Sequence, residues 1–238
     1  MRNYLIIDGM DSTDFGLYVS GPGTFSAPAR EVQTLQIPGR SGDMIVTANR
    51  LQNYDLVYPA FICRDFERNI ENLRNFLLSR TSYFRLEDSY HIDEYRQAMY
   101  VGPFDPDVTQ RLRAAKFDLV FNVKPQRFLK SGEKPRQLGA ADTYVLRNPT
   151  QFIARPILRL FGNGTFRLNT LNYFTVANNA DTYVDIDCEL MICHTGPTDR
   201  NADVTVPGTD TPVLLPGLNS LLFTGFTDIY ITPRWWIV

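Results

Sequence analysis

The sequence predicts a mainly β protein of two β-rich domains. The first has one helix lying on a sheet, and the second is a sandwich or jelly roll. Three observations predict this. Most segments alternate apolar and polar residues with a period of two. A single stretch has the period of a helix. Pro and Gly punctuate the rest at short intervals, at Gly21-Pro22-Gly23, Pro38-Gly39, Pro207-Gly208 and Pro216-Gly217.

Taken in order, Gly39-Arg40-Ser41-Gly42-Asp43 reads as a tight loop between strands, with glycine supplying unusual backbone angles. It lacks the third glycine and the following helix of a dinucleotide fingerprint. Residues 54–63 (YDLVYPAFIC) are apolar on both faces, which predicts a strand covered on both sides. Residues 66–80 (FERNIENLRNFLLSR) place Phe66, Ile70, Leu73 and Leu77 on one helical stripe. Asp65 is the expected N-cap, and Glu67 and Arg80 suit the two ends of the helix dipole. In 117–124 (FDLVFNVK), Phe117, Leu119, Phe121 and Val123 share the face of a half-buried strand.

Three prolines, Pro135, Pro149 and Pro156, and mixed polarity over 130–156 mark a boundary, which places the domains at 1–135 and 136–238. In the second domain, Asn163-Gly164 between apolar runs signals a hairpin. The Asn163-Gly164-Thr165 triplet fits a glycosylation acceptor and reads as a turn. The chain closes on YITPRWWIV. Alternation puts Trp235 with Ile229, Ile231, Pro233 and Ile237 on the core face, and puts Tyr230, Thr232, Arg234, Trp236 and Val238 on the opposite, surface face. Pro233 calls for an edge strand or a bulge. Burying Trp235 removes about 150–250 Å² of surface, an upper estimate of roughly 4–6 kcal/mol.

Composition excludes several functions. Lys+Arg of 24 against Asp+Glu of 26 gives no bulk attraction to nucleic acid. The densest basic cluster, RLRAAK at 111–116, reads as a solvated loop or strand edge. Three cysteines are too few for a disulfide scaffold and imply reduced thiols. The N-terminal apolar stretch is short for a signal peptide, and no run reaches a membrane span.

Catalytic constellations are weak, so the expectation is no enzyme, no catalytic residue, no metal and no cofactor. If the strand over 183–193 runs unbroken, Cys188 faces the core and Cys193 faces away, so the two do not meet one ion. Asp185, Asp187 and Glu189 line the other face at glycosidase-like spacing, yet nothing marks the hydrophobic pocket that a general acid needs. His91 sits in a polar loop and His194 beside Cys193, and no nucleophile elbow or zinc motif is present.

The sequence resembles the distal tail protein (Dit) family of long-tailed, non-contractile bacteriophages, in motifs that run in order along nearly its full length. These are IPGRSGDMIV (37–46), FRLEDSYHIDEYRQAMYVG (84–102), FDLVFNVKPQRFLKSG (117–132), NPTQFIARPILRLFGNG (148–164), LPGLNSLLF (215–223) and the closing YITPRWWIV. Ser41 stands where the family often has Asp. The resemblance implies a β-sandwich-like N-terminal ring-forming domain with one α-helix and a galectin-like or carbohydrate-module-like C-terminal β-sandwich. It implies a homo-hexameric hub between the major tail tube protein and the tail-associated tip protein, anchoring receptor-binding or baseplate proteins. It places the protein in the virion tail tip, made in the host cytoplasm from a free phage or prophage gene. Gly39, Arg40, Ser41, Gly42 and Asp43, with Asp88, Tyr95 and Arg96, are the interface residues expected on this reading. The alternative is a carbohydrate-binding module that contacts the host surface through Tyr230, Arg234 and Trp236.

Overall fold

The computed structural model describes residues 3–63, 65–109, 114–140, 142–177 and 183–238. Two units form, Met1–Arg127 with Val238 and Phe128–Ile237. Arg111–Arg113 of the basic cluster lie outside the described residues.

The first unit contains strands β1 (Leu5–Ile7), β2 (Met10–Asp11), β3 (Leu17–Val19), β4 (Arg30–Leu35), β5 (Met44–Leu51) and β6 (Tyr54–Ile62), and then helix α1 (Phe66–Leu78). After the helix come β7 (Phe84–Asp88), β8 (Glu94–Tyr100), β9 (Asp107–Thr109) and β10 (Ala114–Leu129), which carries the chain past Arg127. The main antiparallel sheet has the order β2-β1-β7-β8-β10-β6-β3. It curls until its margins meet: Val19 N–H donates to Asn3 O at 2.9 Å, in an antiparallel bridge. Asp8 and Gly9, both at positive φ, make the two-residue turn between β1 and β2.

Alternation is obeyed in β10, where Phe117, Leu119, Phe121 and Val123 are buried. In β6 it is obeyed more strictly than the sequence implied. Leu56, Tyr58, Ala60 and Ile62 are buried, but Val57 and Pro59 are exposed, so this strand is covered on one face only. Helix α1 buries Leu73 and Leu77 and packs Phe66 and Ile70 against the same core. Asp65 precedes it in the left-handed region and makes no side-chain cap, contrary to expectation. Arg80 does serve the C-terminus, donating from Nη1 to Phe76 O at 2.7 Å.

The second unit continues with β11 (Arg136–Gly139), β12 (Thr143–Asn148), β13 (Ile157–Phe161), β14 (Gly164–Leu168), β15 (Phe174–Val176) and β16 (Tyr183–Asp187). Its remaining strands are β17 (Ile192–Thr195), β18 (Thr198–Asp199), β19 (Val204–Thr205), β20 (Gly217–Thr224), β21 (Asp228–Thr232) and β22 (Trp236–Ile237). Two antiparallel sheets, β11-β21-β13-β16-β17-β18 and β12-β20-β14-β15-β19, share one core. The protein is therefore mainly β with sandwich architecture, and α1 is the one α-helix among the described residues.

Asn163-Gly164 is not a hairpin. β13 pairs with β16 and β21, whereas β14 pairs with β15 and β20, so the turn is an arch between the two sheets. The β20–β21 connection crosses beside it, and the two arches touch through glycine. A Cβ on Gly164 would lie 2.1 Å from Thr224 O, and one on Gly225 would lie 2.7 Å from Asn163 O. Gly164→Ala is expected to destabilise the second unit by about 1–3 kcal/mol, read as a lower urea midpoint for that unit.

Candidate functional site

The residues singled out from the sequence fall in three places. Gly39–Asp43 is the tip of an arm. β4 and β5 pair with each other and with no other described strand. The loop residues are exposed, with Gly39 and Gly42 at positive φ. Below the tip, Leu35 (56%), Met44 (50%) and Ile45 (66%) are exposed together with Val32 and Val46. A two-stranded ribbon is marginally stable alone in water, and both of its edges offer unpaired backbone groups. Such an arm gains stability when another surface covers its apolar residues.

Asp88 and Arg96 are buried, so neither offers surface to a partner. Asp88 is the hub of an internal network. Its Oδ2 accepts from the Tyr58 hydroxyl at 2.8 Å and from Arg96 Nη1 at 3.0 Å. Its Oδ1 accepts from the backbone N–H of Tyr90 and His91 and lies 3.1 Å from His91 Nδ1. Burial opposes ionisation of Asp88, but the Tyr58 hydrogen bond and the charges of Arg96 and His91 outweigh it and hold the carboxyl below its usual range. Burial, with the Asp88 charge, pushes the Tyr58 phenol up. The network pins the turn between β7 and β8. Tyr95, half-buried, lies under the Arg85 guanidinium, which is 3.9 Å from the ring centroid.

At the chain's close, Trp235 is buried (1%), as alternation requires. Leu129 N–H donates to Trp235 O at 2.8 Å, and Arg234 N–H donates to Gly132 O at 2.9 Å. A Cβ on Gly132 would lie 2.5 Å from Trp235 N, so glycine is required for this approach. β21 ends at Thr232, one residue before Pro233, and Arg234 takes positive φ. The proline therefore sits after a central strand, at neither an edge nor a bulge. Tyr230, Arg234 and Trp236 are engaged with different partners. Trp236 stacks on Phe152 at 4.3 Å and donates from Nε1 to Ile153 O. Arg234 grips Asp187 with two bonds of 2.7 and 2.8 Å. Tyr230 lies on β21 beside Phe161.

The carboxylates do not form a solvated row. β16 stops at Asp187, and a turn over Cys188–Met191 starts β17. This resets the register: Cys193 pairs opposite Ile186, and Cys188 and Cys193 are both buried as free thiols. Burial pushes the Cys193 thiol up to about 11. Asp185 and Asp187 are buried too, while Glu189 is exposed. Asp185 accepts Arg159 Nε and Nη2 at 2.7 and 2.8 Å. Burial disfavours the charge on Asp187, but Arg234 and the backbone N–H groups of Glu189 and Leu190 hold its carboxyl low, the opposite of what a general acid needs. Among the described residues, no group of three or more His, Cys, Asp or Glu converges as a metal site.

A search of solved structures finds one of the SPP1 Dit protein (gp 19.1), described as a paradigm of hub adsorption apparatus in phages infecting Gram-positive bacteria. The two superpose with a TM-score of 0.79 at 19% identity, covering 99% of both chains. The chain has the fold of SPP1 Dit. Chains of the phage P2 baseplate in its activated conformation are similar at lower scores, 0.54 with Ca and 0.56 with Sr, each at 10% identity over 97% of both chains. No protein-family model matches the sequence, and neither does any curated protein. On this Dit fold the ordered motifs fall at defined places: 37–46 at the arm, 84–102 on β7 and β8, 117–132 along β10, and 148–164 through the arch.

Proposed function

We propose that the protein is a structural component of a bacteriophage tail, the distal hub whose first units close into a homo-hexameric ring. The ring joins the tail tube to the tip protein and anchors peripheral adhesion or baseplate proteins, with a galectin-like second unit. The observation that carries this reading is the β4–β5 arm, an isolated ribbon with five exposed apolar side chains on a chain whose whole length shares the Dit fold. A heterologous contact repeated around an axis closes a ring, and an apolar arm lying on the next copy supplies that contact. Gly39–Asp43, at the arm's end, then meets the neighbouring copy or the tube. Asp88 and Arg96 act indirectly, by fixing the β7–β8 turn.

The test is the Leu35→Asp, Ile45→Asp double variant. The native chain is expected to form hexamers, alone or with its tube and tip partners, in native mass spectrometry. The variant is expected to remain monomeric with an unchanged melting temperature, because both side chains are already in water in the monomer. Hexamers that survive both substitutions, or a native chain that stays monomeric with both partners present, would reject the arm's role.

A further inference from the structure

Strand β6 is apolar on both faces, the pattern of a strand covered on both sides, yet the single chain leaves Val57 and Pro59 exposed. That uncovered face opens into a cleft of about 890 Å³. Pro59 and Phe61 of β6 and Val120 of β10 line it, and Pro103 bounds it from the segment before β9. The cleft is preformed. The Tyr100 hydroxyl donates to Pro103 O at 3.0 Å, and the rings of Phe104 and Phe117 pack with centroids 5.1 Å apart, which ties that segment down. Asp105, Asp107, Lys116 and Asp118 stand exposed at the margin, and among the described residues none of the four makes an ion pair.

We infer, resting on the chain's role as a ring-former, that this cleft receives the tip of the β4–β5 arm of a second copy. The tip runs Ile37-Pro38-Gly39-Arg40, apolar and then cationic, the counterpart of an apolar floor with an acidic margin. Charges on the two surfaces are complementary. On the arm, Arg50 is engaged by Glu31 at 2.7 Å, whereas Arg30, Arg40 and Asp43 are exposed and make no ion pair among the described residues. The arm thus offers two cations against one anion, and the cleft offers three anions against one cation. Opposite signs of this kind steer encounter and fix register, while the apolar floor supplies the area to be covered. Reach is sufficient: the six residues of β4 span about 20 Å, and nearly every residue of β4 and β5 is exposed, so the arm projects from its own unit. The tip does not fill its own copy's cleft, because Pro38, Gly39 and Arg40 are exposed in the single chain. A projection and a cleft at different places on one unit make a head-to-tail contact, the kind that closes a ring.

The test is charge reversal in the full-length chain, read by native mass spectrometry under the conditions in which the native chain forms hexamers. Arg40→Glu, and separately the Asp107→Lys, Asp118→Lys pair, are each expected to lower the hexamer fraction by about tenfold or more, because like charges then face each other. All three positions are exposed, so melting temperatures are expected to hold. Combining the three substitutions in one chain is expected to restore hexamers, and so is an equimolar mixture of the two variants, in which each arm again meets a cleft of opposite sign. Ser41→Cys together with Ser20→Cys, which lines the cleft, is expected to give under mild oxidation a ladder of covalent oligomers that neither single variant gives. Hexamers that withstand both reversals, or hexamers lost in the variants and restored by neither combination, would overturn the cleft's role and leave the ring standing. A native chain that stays monomeric with its tube and tip partners present would overturn both.

Discussion

Trp235→Ala is expected to destabilise the second unit by about 3–5 kcal/mol, the cost of removing a large buried aromatic and leaving a cavity. The site has little freedom to collapse. Trp235 belongs to a core whose other members include Phe166, Phe174 and Phe223, and the phenyl ring of Phe166 stacks on those of the other two. The backbone at this position is fixed by the bonds to Leu129 and Gly132, so the chain does not slide inward to fill the gap. The first unit has its own core, built from Leu5, Tyr58, Phe121 and their neighbours. Its stability is therefore expected to stay put. Hydrogen exchange resolved by segment, followed through a urea series, separates the two units. A loss below about 1 kcal/mol in the second unit, or an equal loss in both, would contradict this account.

Asp88→Asn is the matching experiment in the first unit. The native carboxylate accepts from the Tyr58 hydroxyl, from Arg96 and from two backbone N–H groups. The amide introduced by the substitution turns one acceptor into a donor facing donors, and it leaves the Arg96 charge buried without its partner. Breaking a buried pair in this way costs about 3–5 kcal/mol. The pH dependence has a definite sign. The folded carboxyl titrates below its ordinary value of 3.8, so its contribution is fully present above that value and is lost as pH falls through the lower, folded one. Acidification below about pH 4 is therefore expected to narrow the stability gap between native protein and variant. A gap that stays constant from neutral pH to pH 2 would refute the role given to the Asp88 charge.

Asp88 also shows how much of the site was legible. Phe84, Leu86 and Asp88 alternate on one face of β7, and Arg96, Ala98 and Tyr100 on one face of β8. An acid and a base each stand at a core position in neighbouring strands, so the buried pair was readable from parity alone. The resemblance instead drew both residues to the surface. The Arg159–Asp185 pair was not readable. It depends on β13 lying against β16, an adjacency that a separation of 26 positions does not specify. The arm falls between these cases. Two strands around Gly39–Asp43 were expected, but a strand's own residues do not reveal whether a third strand joins them.

Periodicity, a local property, determined the mainly β character, helix α1, the buried face of β10 and the inward Trp235, because a side chain's face follows from its place in its own strand or helix. The sheet to which each strand belongs was decided only by the tertiary structure. The Asn163-Gly164 turn suits a hairpin as well as an arch, and close glycine contact with the β20–β21 connection selected the arch. The same holds for Cys193, whose burial follows from a turn that ended β16 early. Parity is set by neighbours in the chain, whereas pairing is set by competition among distant segments for one core, and only the folded chain resolves that competition.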